Sequence, residues 1–201
     1  MNKTGTSSLK LLLSDLGFRI GNQREAESEF GRWVLRDFRR LADFCGTADA
    51  FQDVPLSLPF TFVYLDQIFL DSRFILTERD PNDWYDSFVR FHEKVRERVP
   101  SLVGDIHRAV KHVFGTSDDN LYERESLINC YLAHNDMVKT YFRDRPRDLL
   151  ILNVASKRAV ASLCNFLGTK APYDVFPHVT SDEILEGLAN LDSQRAPTSG
   201  P

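Results

Sequence analysis

The 201-residue sequence predicts an α/β fold: a parallel sheet with helices over both faces. Three observations lead there. Short apolar, β-rich runs, "SRFILTERDP" and "RDLLILNV", alternate with longer amphipathic stretches, as strand–helix–strand units do. Two loops fall at the edge where ligands of such sheets sit: the opening one and Arg79-Asp80-Pro81. No repeat and no linker interrupts the chain, so residues 1–194 are expected to form one domain and residues 195–201, "RAPTSGP", a frayed tail.

The elements follow in order. Leu9, Leu11, Leu12, Leu13 and Leu16 give a first helix its apolar face, and Gly17 stops it. "EFGRWVLRDFRRLADF" reads as a second helix with Phe30, Trp33, Val34, Phe38 and Leu41 inward. "ADAFQDVP" is expected to be a short strand running into a turn. "LSLPFTFVYLDQIF" is apolar enough for a mostly buried helix with Pro59 in its first turn. "SRFILTERDP" is the clearest strand; after it Asp80 is a good N-cap and Pro81 a good first residue for "NDWYDSFVRFHEKVRERV". "PSLVGDIHRAVKHVFG" and "LYERESLINCYLAHNDMVKTYFRDR" continue as helices. "RDLLILNV" is the last strand, followed by the helix "KRAVASLCNFLG" with Gly168 as its cap. A proline-bearing loop, "TKAPYDVFPHVT", leads to a closing helix, "SDEILEGLANLDSQ".

Composition narrows the functions. Hydrophobic residues make up 42 % and charged ones 27 %, ordinary for a chain that buries a substantial core. The formal net charge of −4 gives no global basic field, so no nucleic-acid partner is expected, while a local site for a small anion stays open. Cys45, Cys130 and Cys164 are odd in number and lack CxxC spacing, which suits reduced thiols in a cytoplasmic protein. No stretch approaches the roughly 20 apolar residues of a membrane span, and "LKLLLSDLG" is too short and too charged for a signal peptide. No cluster has metal-ligand spacing, so no metal is expected.

Two motifs point to phosphate. In "KTGTSSL" a glycine turn lets backbone N–H groups converge, the following helix start adds partial positive charge, and Lys3 adds a full one. Thr6, Ser7 and Ser8 add hydroxyls; the plainer alternative is a Ser/Thr-rich helix cap. The lysine precedes the glycine, so the GxxxxGK[ST] nucleotide loop does not match. In "RDPNDWYDS", Arg79 ends a strand and Ser87 lies eight residues on, so fork and hydroxyl could grip one phosphate. The plainer alternative for Arg79 is an ion pair.

Together, Lys-x-Gly-Thr-x-Ser opening a helix and strand-Arg-Asp-Pro-x-x-Trp-Tyr-x-Ser resemble the sulfotransferase family, in its bacterial and fungal branch. "ADAFQDVP", "LCNFLG" and "FPHVT" extend the likeness over nearly the whole chain. The resemblance implies a P-loop NTPase-like three-layer sandwich around a central parallel sheet, and the donor 3′-phosphoadenosine 5′-phosphosulfate (PAPS), with 3′,5′-ADP as product. Carried over, Lys3, Gly5, Thr6, Ser7 and Ser8 would hold the 5′-phosphosulfate, and Arg79 and Ser87 the 3′-phosphate. In the family a buried strand feeds the first loop; here only Met1 and Asn2 precede Lys3. The sheet is therefore expected to lack its first strand, through truncation, a misassigned start or loss, and the loop to be poorly fixed. "ILNV" also runs into "ASKRAV" without the tryptophan-bearing segment that the likeness leads one to expect.

Sulfuryl transfer needs charge stabilisation on the departing phosphate, which suits Lys3, and a base for the acceptor proton. Asp53, before Pro55 where the family carries an acidic residue, is the first candidate base; Asp49 is the second and His134 the third. Capping the helix after Pro55 is the plainer role for Asp53. His92, His107 and His112 lie among charged residues and are expected in solvent, while His178 lies in a loop that in this family approaches the nucleotide. Phe60, Phe62, Tyr64, Phe69, Phe88, Phe91, Tyr141 and Phe142 are first of all core, with a few lining an acceptor pocket. The expected acceptor is the hydroxyl or amine of a small molecule, glycan or lipid. Two rivals remain. A small-molecule kinase would want a strand-closing aspartate for magnesium, where Asn153 or Glu78-Arg79 stand instead. A nucleotide-binding or interaction protein without turnover would keep the same fold.

Overall fold

The computed structural model describes residues 1–193. Strand β1, Phe74–Thr77, pairs in parallel with β2, Leu149–Leu152, with Phe74 opposite Leu149 and Thr77 opposite Leu152. A parallel pair needs a crossover. Here α6 (Pro81–Arg98), α7 (Val103–Phe114) and α8 (Arg124–Tyr141) make it.

Alternation along both strands sets the layers. Ile75, Leu150 and Leu152 turn towards α1 (Thr6–Asp15) and α9 (Ala159–Leu167), where Leu12, Val160 and Leu163 are buried. Phe74, Leu76 and Leu149 turn the other way, onto Phe62 of α5 (Thr61–Ile68) and onto Val138 and Phe142 on the α8 side. Side chains one residue apart serve opposite faces of a sheet, so each strand holds two helical layers together. A third core joins α6 to α8: Trp84, wholly buried, stacks on Tyr131 with ring centroids 4.4 Å apart. The α/β class expected from the sequence stands, with two strands among the described residues.

Several local expectations hold. Asp80 caps α6 by accepting from the N–H groups of Asn82 and Asp83 at 2.9 and 3.2 Å, with Pro81 at the first position. Gly168 follows α9 at φ 72°. The closing helix α10 spans Ser181–Ser193; the tail expected at residues 195–201 lies outside the described residues.

Others are corrected. "ADAFQDVP" contributes a single parallel bridge, Ala50 to Ile20, because the chain then turns at Asp53, φ 59°. The second helix is broken into α3 (Phe30–Val34) and α4 (Arg39–Cys45), preceded by α2 (Gln23–Ser28). The reason is packing: Phe30 and Trp33 bury against Leu58, while Leu41 and Phe44 bury against Ala26, and Arg36 at φ 59° redirects the chain between those cores. Helix α5 begins at Thr61, beyond Pro59. His92 is buried rather than solvated, wedged against Phe88 at 4.1 Å between ring centroids. Among the described residues no strand precedes α1, and the edge of β1 away from β2 borders a cleft of about 880 Å³.

Candidate active site

The opening loop ends at Gly5, which precedes α1 with φ 96°. A Cβ there would also lie 2.4 Å from Val154 Cγ2, so handedness and space both call for glycine. The first N–H groups of α1 have no partner within the helix, and Thr6, Ser7 and Ser8 at that start line a cavity. The loop is better fixed than the sequence led one to expect. Buried Thr4 Oγ1 lies 2.5 Å from Thr77 Oγ1 at the end of β1 and donates to the Met1 carbonyl at 2.9 Å. Trp84 Nε1 donates to the Asn2 carbonyl at 3.0 Å, tying the loop to α6.

Lys3 takes φ 63°, and its ammonium lies 3.8 Å from the centre of the Phe91 ring and 3.4 Å from Ser181 Oγ. No carboxylate among the described residues is within ion-pair distance of it. Burial lowers its pKa from 10.5 to about 8; Asp53 opposes that, while the charges of Arg79 and Lys94 add to it. Lys3 therefore stays mostly protonated at neutral pH with its charge uncompensated by contact.

Arg79 follows β1, its backbone N–H donating to the Tyr131 hydroxyl at 3.0 Å while its side chain is exposed. Among the described residues no carboxylate pairs with its guanidinium, contrary to the plainer alternative. Lys3, Gly5, Ser7, Arg79 and Ser87 all border one cavity of about 1100 Å³. Its far wall is formed by residues 174–182, His178 included. Two of the loop hydroxyls also serve the protein itself. Ser8 Oγ accepts from Val179 N–H at 3.0 Å, and Thr6 Oγ1 donates to Asp53 Oδ2 at 3.1 Å.

The three candidate bases are placed very differently. Asp53 and Thr6 are shared by the 1100 Å³ cavity and the 880 Å³ cleft, so Asp53 stands at their junction. Its Oδ1 is enclosed and unpartnered. Burial raises the Asp53 pKa, opposed by the Met1 ammonium, the Thr6 hydroxyl and Lys3. Asp49 instead makes a two-pronged pair with Arg19, at 3.0 and 2.9 Å, which brings its pKa to about 2 and makes it a weak base. His134 lines the cleft next to Phe62, and burial lowers its pKa to about 3, so it is neutral at physiological pH.

Against this geometry stands one comparison. The profile of the sulfotransferase domain matches residues 1–184. The chain belongs to the sulfotransferase family. No curated protein matches it significantly. Membership means sulfuryl transfer to a small-molecule acceptor in general terms. Among the described residues no helix is long and apolar enough to cross a membrane, and no group of three or more His, Cys, Asp or Glu is placed to hold a metal ion.

Two neighbours of Ser87 on α6 line this cavity without having been singled out for it from the sequence. Phe91, expected first of all in the core, and Lys94 both line the cavity with Ser87. The signal was available: positions 87, 91 and 94 share one face of a helix.

Proposed function

We propose that the chain moves a sulfuryl group from PAPS to the hydroxyl of a small acceptor, with the larger cavity taking the donor and the cleft the acceptor. The observation that carries this is the junction. Asp53, with one unpartnered carboxylate oxygen, stands where the two spaces meet, on the loop-and-lysine side of the site. The residues present suit the donor: an uncompensated lysine, an unpaired arginine and free helix N–H groups border one space, a set that favours a multiply charged phosphate.

In this reading PAPS supplies a sulfur bonded to a phosphate oxygen. The acceptor oxygen bonds to sulfur, the sulfur–phosphate oxygen bond breaks, and its electron pair stays with 3′,5′-ADP. Lys3 and the α1 N–H groups stabilise the charge growing on that phosphate, the kind of preorganised donor that contributes several kcal/mol. Arg79 and Ser87 hold the 3′-phosphate. Asp53 accepts the acceptor's proton; a carboxylate whose pKa burial has raised is a better base than an ordinary one. Thr6 fixes its other oxygen.

The test pairs binding with turnover. 3′,5′-ADP should raise the melting temperature well beyond ADP, since binding the native state adds about 2.7 kcal/mol at one hundred times the dissociation constant. Labelled PAPS with a panel of apolar alcohols should then yield a sulfated product. Equal shifts from both nucleotides would remove the 3′-phosphate grip. Binding without transfer to any acceptor would leave a nucleotide-binding protein.

A further inference from the structure

We propose that Lys94 is an additional anion-binding residue of this cavity, exchanging Asp182 for the 5′-phosphate end of the ligand. The inference rests on the donor reading above. Ser87, Phe91 and Lys94 lie at i, i+4 and i+7 on α6, and all three line the cavity. At about 1.5 Å of rise per residue, Lys94 sits about 10 Å along the axis from Ser87 but only about 4.5 Å from Phe91. Phe91 carries the Lys3 ammonium on its ring. Lys94 thus belongs to the Lys3 end of the cavity rather than the Arg79–Ser87 end, and its charge is among those that lower the Lys3 pKa.

Lys94 is held at present by a partner that can spare it. Its Nζ lies 3.1 Å from Asp182 Oδ1, and Arg98 Nη1 lies 2.8 Å from that same oxygen. Asp182 is the second residue of α10 and ends the wall of residues 174–182. All three side chains are partly exposed, so the Lys94–Asp182 pair is a weak one. A dianionic phosphate near Lys3 offers Lys94 more charge than a carboxylate already shared with Arg98. When Lys94 leaves, Arg98 keeps its bond to Asp182 and Leu185 stays packed on Val95 and Val99, so the wall stays in place while the cavity gains a further free cation.

The experiment measures dissociation constants of 3′,5′-ADP, 5′-AMP, 3′-AMP and inorganic pyrophosphate for the unaltered chain, Lys94→Met and Asp182→Asn. Lys94→Met should weaken 5′-AMP, 3′,5′-ADP and pyrophosphate by roughly tenfold, as a charge-assisted hydrogen bond of about 1.4 kcal/mol would, and spare 3′-AMP. Asp182→Asn, which frees the lysine, should tighten the same three. Unchanged affinities in Lys94→Met overturn the proposal. So does an equal loss on all four ligands, or an Asp182→Asn variant that weakens binding as Lys94→Met does, since each marks a structural role. If the unaltered chain ignores the nucleotides but binds pyrophosphate through Lys94, the donor reading fails and the Lys94 site stands.

Discussion

Asp49 and Asp53 are one residue type, four positions apart, and their surroundings give them opposite properties. Arg19 holds Asp49 far below the usual carboxylate range; burial pushes Asp53 above it. Asp53→Asn should therefore lower sulfuryl transfer by about 10² to 10⁴-fold, measured with labelled donor, and leave 3′,5′-ADP affinity intact. The sign for stability is also fixed. A group whose folded pKa is raised loses its contribution as pH climbs from its ordinary 3.8 through the folded value, so the charged carboxylate destabilises the fold at neutral pH. The Asn variant should melt at or above the unaltered protein at pH 7, the difference vanishing near pH 4. A lower melting temperature at pH 7 would make Asp53 a structural residue. If Lys3 meets charge that develops in the transition state, as proposed, Lys3→Ala should lower turnover more than 3′,5′-ADP affinity; the reverse split would make Lys3 only an anchor. The candidates were legible in the sequence, but their ranking was not. Arg19 is 30 residues from Asp49, and enclosure of Asp53 Oδ1 depends on segments that fold against it.

At the scale of elements, what local chemistry decides was legible and what packing decides was not. The Asp80 cap and Pro81 start of α6 need only their own backbone, and the sequence placed them correctly. The break between α3 and α4 arises from two separate cores, and no period within the segment announces it. The opening loop shows both kinds of control. Its glycine is local, whereas its anchors, Thr77 and Trp84, lie more than 70 residues away in sequence. Gly5→Ala tests the local part. A left-handed conformation costs a non-glycine residue about 1–2 kcal/mol, and Val154 must also move. Urea unfolding should show a loss of at least that order, and 3′,5′-ADP binding should weaken. Unchanged stability and binding would mean that the loop adapts without cost.

Across the whole molecule, the histidines couple the fold to pH. His92 and His134 are buried with pKa values of about 3 against an ordinary 6.5. Between those limits the unfolded chain binds protons that the folded one does not. Stability should be full above pH 6.5 and fall as pH drops, by up to about 1.4 kcal/mol per pH unit for each histidine. Urea midpoints between pH 6.5 and 5 check this, and the double variant His92→Phe, His134→Gln should flatten the slope. A flat profile in the unaltered chain would mean that both rings reach water. By itself the sequence determined the α/β class, the two strands of the described residues, the Asp80 cap and the glycine turn of the opening loop, because each depends on residues within a turn or two of one another. Only the tertiary structure decided that Lys3, Arg79 and Ser87 share a cavity, that Asp53 stands at its junction with a cleft while Asp49 does not, and that Lys94 joins them. Those relations form when α1, β1, α6 and the 174–182 segment pack together, and burial, which sets the charge state of Lys3 and Asp53, exists only after that packing.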